Sequence, residues 1–184
     1  NYIINNNINL TNTDGPTAAI KNTATKTTIQ NNTLYVDGPA KTIDYTENGV
    51  ANTQAILIQN TNRNTITNNN IIVTTTQESQ TYGTIEAITA NTVTDTTIKQ
   101  NNINISNAKF TYGINMLASV TDNIITENNI TATSYRYCDG IQVGNQAQNI
   151  EISKNNINIY CHNTTPVDEE AISYGIITSN MGQG

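Results

Sequence analysis

Six times in this chain an isoleucine is followed three residues later by an asparagine, and two residues after that by an aliphatic side chain. The segments are Ile3–Ile8, Ile29–Leu34, Ile66–Ile71, Ile98–Ile103, Ile125–Ile130 and Ile152–Ile157. Their shared asparagine is Asn6, Asn32, Asn69, Asn101, Asn128 and Asn155, without exception. The next position reads Asn7, Thr33, Asn70, Asn102, Asn129 and Asn156. Two phrases are nearly identical, "IKQNNINI" at 98–105 and "ISKNNINI" at 152–159. Recurrence at fixed offsets gives the six segments equivalent places in the fold, and a repeat of this size predicts a solenoid.

A second anchor follows each segment, a small residue and then isoleucine: Ala19-Ile20, Ala55-Ile56, Ala87-Ile88, Gly113-Ile114, Gly140-Ile141 and Gly175-Ile176. From this anchor to the next Ile-x-x-Asn the spacing holds at 9 to 11 residues. The stretch after each asparagine pair varies instead, and all three prolines (Pro16, Pro39, Pro166) fall in it. One connection per turn is therefore free to grow while the rest is held. Two successive turns share a period of 27 residues, from 103 to 130 to 157.

The turn that starts at Gly140 can be read strand by strand. "GIQV" directs Ile141 and Val143 inward, "NIEI" directs Ile150 and Ile152 inward, and "INI" directs Ile157 and Ile159 inward. Each run alternates with period two, as a half-buried strand does. Three short strands per turn, stacked on those of the neighbouring turns, predict three parallel sheets around a narrow core. Composition agrees. Asparagine, threonine and isoleucine supply roughly half the chain, a mixture that favours strands and turns over helix. The expectation is an all-β single domain over residues 1–184, with about six rungs and one variable loop per rung.

This pattern resembles the right-handed parallel β-helix repeat of the pectate-lyase-like superfamily. Its asparagine-, threonine- and isoleucine-rich, charge-poor style is most similar to adhesin-like surface proteins of methanogenic archaea. The resemblance implies a right-handed single-stranded parallel β-helix. It also implies that the first asparagine of each pair sits at the bend between second and third strands, where Asn can take positive φ. Stacked rung on rung, such amides form a ladder. The second asparagine column is expected to face solvent.

Enzymes of the resembled superfamily act on polysaccharides, with carboxylates on the first sheet. Here the outward positions of that strand are Lys21, Leu57, Thr89, Asn115, Gln142 and Ile177, which offer no carboxylate column. The position before each small residue is richer: Ala18, Gln54, Glu86, Tyr112, Asp139 and Tyr174. Glu86 and Asp139 lie two rungs apart, about 9–10 Å by strand spacing, at the edge of the range for an inverting glycosidase pair. They are the alternative catalytic pair, against a reading in which loop acids merely aid solubility. Tyrosine is over-used for a chain with no tryptophan and one phenylalanine. Tyr82, Tyr112, Tyr135, Tyr137 and Tyr174, with Arg136, Glu86 and Asp139, make the candidate ligand-binding set, since a phenol suits sugar or protein contact.

Cys138 and Cys161 end and begin successive loops on one side of the solenoid, so a disulfide is geometrically allowed. Asp168, Glu169 and Glu170 could hold calcium, although a solvated acidic loop explains them as well; no other metal or cofactor is expected. A net charge of −6 and a pI near 4.5 argue against a nucleic-acid partner, and no apolar run is long enough to span a membrane. The expectation is an extracellular or cell-surface module cut from a longer protein. It would be a stalk whose loops recognise a glycan or a protein on a partner cell. The alternative is a polysaccharide-active enzyme or sugar-binding module. Flanking domains or end-to-end stacking are expected at its open ends.

Overall fold

The computed structural model describes residues 1–11, 17–38, 53–75, 83–162 and 171–178. Every regular element among them is a strand. The chain enters with β1 (Tyr2–Ile4) and β2 (Asn7–Thr11). A full turn follows as β3 (Thr17–Asn22), β4 (Thr28–Gln30) and β5 (Thr33–Asp37), and another as β6 (Thr53–Asn62), β7 (Thr65–Thr67) and β8 (Asn70–Thr74). Next come β9 (Thr84–Thr94), β10 (Thr97–Lys99) and the long β11 (Asn102–Leu117). The remainder is β12 (Thr121–Thr126), the long β13 (Asn129–Val143), β14 (Gln148–Ser153), β15 (Asn156–Cys161) and β16 (Ile172–Thr178).

All pairings are parallel and join equivalent strands of successive turns. Ile56 pairs with Ile88, Ile88 with Ile114, Ile114 with Ile141 and Ile141 with Ile176 on the first face. Ile3, Ile29, Ile66, Ile98, Ile125 and Ile152 stack on the second. Ile8, Leu34, Ile71, Ile103, Ile130 and Ile157 stack on the third. The fold is a parallel β-helix. Its core is these three aliphatic columns, buried through the middle turns and part-exposed toward both ends. No single turn buries its own apolar side; stacking does.

Two of the expected variable loops are not loops. β11 and β13 run unbroken from the third face of one turn into the first face of the next, and absorb the irregularity as bulges after Ile105 and Ala108. Chains of seven or so residues between faces are short enough to stay paired with the neighbouring turn.

The bends differ in one respect from the expectation. The ladder asparagines do not take positive φ. The residue before each does: Asn5, Asn31, Asn68, Gln100, Glu127 and Lys154, at φ between 54° and 60°. The same device serves the bend between first and second strands, with Lys26, Arg63, Asp95, Asp122 and Asn149 in the left-handed region. That region is costly for residues with a Cβ. At the bend between second and third strands the ladder asparagine that follows offsets the cost through its amide. Asn101 N–H and Nδ2 both donate to Asn128 Oδ1, at 3.1 and 3.0 Å, and Nδ2 donates again to Ile66 O at 3.0 Å. Asn32, Asn69 and Asn128 repeat this arrangement. Each buried amide thereby uses both protons and accepts two bonds, a full complement for asparagine.

Candidate functional site

The Gln54–Glu86–Tyr112–Asp139–Tyr174 column is real. These residues occupy one register position on successive turns of the first face. What the column does not do is line an open groove. Glu86 is 2% exposed and Asp139 is 0% exposed. The outward neighbours Leu57, Thr89 and Asn115 are buried too.

Glu86 is caged. Asn115 Nδ2 donates to its Oε1 at 2.8 Å, Gln54 Nε2 approaches Oε2 at 3.5 Å, and Thr89 Oγ1 donates to Oε2. Burial pushes its carboxyl above the ordinary glutamate range, and these three hydrogen bonds only partly offset that. A carboxyl held this way has no face left for a substrate proton.

Asp139 is the opposite case. Neither Oδ1 nor Oδ2 has a hydrogen-bond partner. Burial raises its carboxyl to about 6. The Tyr137 phenol beside it counters part of that rise as a weak hydrogen-bond donor, though at a geometry too loose to satisfy either oxygen. The carboxyl is shut from solvent.

The cover over Asp139 is aromatic. Tyr137, two residues before Asp139 on β13, touches Tyr112 with ring centroids 5.9 Å apart and Tyr174 at 6.0 Å. It also meets Phe110 at 6.3 Å. Tyr112 and Tyr174 flank Asp139 in register on the turns either side. The Lys109 ammonium and the Arg136 guanidinium both lie over the Phe110 ring, at 5.6 and 5.9 Å. Arg136 stands with Tyr135 on the bulge of β13, where two residues oppose Lys109 alone. Burial raises the Tyr137 phenol to about 12, with the Asp139 charge adding to it. Phe110 was absent from the candidate set; its place in register with Tyr137 is a pairing across a bulge, which spacing alone does not reveal.

Of the remaining expectations, Tyr82 and the acidic run Asp168–Glu170 lie outside the described residues. Among the described residues no three His, Cys, Asp or Glu side chains group together. Cys138 and Cys161, the pair for which a disulfide is geometrically allowed, are free thiols. Each sulfur is engaged by a hydroxyl: Thr111 Oγ1 donates to Cys138 Sγ at 2.9 Å, and Ser134 Oγ lies 3.3 Å from Cys161 Sγ. The exposed asparagine column is also bonded. Asn102, Asn129 and Asn156 each donate from Nδ2 to the Oδ1 of the turn before, at 2.8–2.9 Å.

Fold and site together define an all-β parallel β-helix with an aromatic patch over a buried carboxyl. No family model, curated protein or solved structure matches the chain.

Proposed function

We propose that this chain is an extracellular adhesin-like β-helix module, a rigid stalk that recognises carbohydrate through the aromatic patch entering its first face. Within that reading the superfamily is pectate-lyase-like and the setting is a cell surface. The observation that carries it is the continuous contact of Tyr112, Tyr137 and Tyr174 across three successive turns, with Phe110 at its edge. Tyrosine rings present an apolar face with a hydroxyl tip, which suits a sugar ring and its substituents. Stacked turns supply a span of about 9–10 Å from Tyr112 to Tyr174, the length of roughly two sugar units. The stalk role follows from nearest-neighbour stacking, which transmits position without a hinge.

The enzyme alternative draws no comparable support. Glu86 is enclosed by Thr89, Asn115 and Gln54, so Asp139 has no free second carboxyl in that column to work with as an acid–base pair.

A glycan-array screen of the intact chain, beside the Tyr137→Ala variant, tests the proposal. Binding that the variant loses is expected. Release of new reducing ends from any bound polysaccharide would overturn the non-catalytic reading, and an array without a single specific hit would overturn recognition of carbohydrate.

A further inference from the structure

Among the described residues four buried side-chain oxygens lack a hydrogen-bond partner, Thr67 Oγ1, Asn115 Oδ1 and the two of Asp139, and of these only Asp139 is ionisable. Both oxygens of Asp139 are buried without a partner. A carboxylate in that position is unstable unless something neutralises it. Nearby cations do not: Lys109 and Arg136 are turned onto the Phe110 ring. Glu86 belongs to its own cage, and the adjacent Cys138 thiol receives its bond from Thr111. What surrounds Asp139 is Tyr137 on its own strand and Tyr112 and Tyr174 on the strands either side.

A carboxylate floor beneath three phenol rings is the chemistry that receives an organic ammonium ion. The ring faces attract a cation through their quadrupoles, and the carboxylate supplies the opposite charge. A divalent metal is a poor fit, since calcium seeks six to eight oxygens and one carboxylate provides two. The exposed rim of the patch favours a ligand that also offers a flat, hydroxyl-bearing face. We propose that Asp139, with Tyr112, Tyr137 and Tyr174, forms a subsite for the ammonium group of an amino sugar. This rests on the carbohydrate-recognition reading above and names the class of sugar. Tyr174 is the exposed member of the set, at 43%, on β16, the outermost strand of that face among the described residues.

Titration of the whole chain with glucosamine oligomers, their N-acetylated counterparts, neutral glucose oligomers and lysine methylamide tests the proposal. Expected is about a tenfold preference for the amino oligomer over the N-acetylated one, the scale of a single cation contact in a partly dry site. Asp139→Asn should erase that preference. If the variant folds poorly, the wild-type chain still decides. Carbon-detected titration of Asp139 should show its pKa falling when the amino oligomer is present, and staying put with the N-acetylated one. Equal binding of amino and neutral oligomers would overturn the ammonium subsite while sparing carbohydrate recognition. No binding by any sugar would overturn both. Lysine methylamide binding as tightly as the amino sugar would overturn the sugar assignment in favour of protein lysines.

Discussion

Asn101 and Asn128 are joined twice over: the Asn101 backbone N–H and its side-chain Nδ2 converge on the one Oδ1 of Asn128, 27 residues away in sequence. Truncating Asn101 to alanine removes the corresponding acceptor for Asn69 and leaves two buried donors unpaired. At about 1–3 kcal/mol for each orphaned group, Asn101→Ala should cost roughly 3 kcal/mol. The exposed ladder has water as a substitute, so Asn129→Ala should cost about 0.5 kcal/mol. Urea unfolding of the two variants measures the contrast, and equal costs would sink the assignment of the inner column as the structural one.

Lys154 sits at φ 55° immediately before a ladder asparagine. A left-handed residue with a Cβ carries about 1–2 kcal/mol of strain, and glycine carries none. Allowing for the greater freedom of glycine in the unfolded chain, Lys154→Gly should stabilise the protein by about 0.5 kcal/mol. A drop in melting temperature would show that the strain is absent.

A Cβ on Gly140 would stand 2.4 Å from Ile157 Cγ2 and 2.5 Å from the Gly175 carbonyl oxygen, whereas one on Gly175 meets nothing within 4 Å. Gly140→Ala should therefore cost about 1–3 kcal/mol by overpacking against a backbone that cannot yield. Gly175→Ala should be nearly silent in the same thermal denaturation.

Asp139 titrates near 3.8 when unfolded and near about 6 in the fold, so the folded state holds the proton more tightly. Its contribution to stability is whole below pH 3.8 and is lost as pH rises through about 6. The Tyr137 phenol and the Cys138 thiol beside it titrate far above that window, at about 12 and about 11. The loss should be on the order of 2 kcal/mol. Melting temperature across this range should fall for the wild type more than for Asp139→Asn. The same variant should bring the Tyr137 phenol part of the way down, since its main cause, burial, remains.

Burial also pushes the Cys138 thiol up to about 11, and the hydrogen bond from Thr111 only partly counters it. At neutral pH Cys138 is thus a thiol out of reach, while Cys161 is part-exposed. Iodoacetamide followed by peptide mass mapping should label Cys161 alone until the chain is unfolded.

The columns of the fold were legible because stacking demands the same residue at the same place in every turn. Ile66, Ile98 and Ile125 had to align whatever the loops did. The order along the first face, from Gln54 to Tyr174, followed from the same logic. Two features were not legible. The left-handed bend residue is not one residue type but Asn5, Gln100, Glu127 or Lys154, since the following amide compensates any of them. The burial of Glu86 and Asp139 depends on what lies over the sheet, and alternation reports only whether a side chain points in or out. Register placed them in one column, and register does not determine cover.

Between the inner asparagines every bond runs one way, from the N–H and Nδ2 of one turn to the Oδ1 of the next, while the second Nδ2 proton returns to a carbonyl of the turn before. Cutting the stack would leave the asparagine-to-asparagine donors on one surface and their Oδ1 acceptors on the other. The solenoid is therefore vectorial, like a polar filament with unlike poles. Two copies brought together could continue the inner ladder only in series, head to tail. Meeting pole to like pole, they would set donor against donor or acceptor against acceptor, and the column itself would reject the pairing.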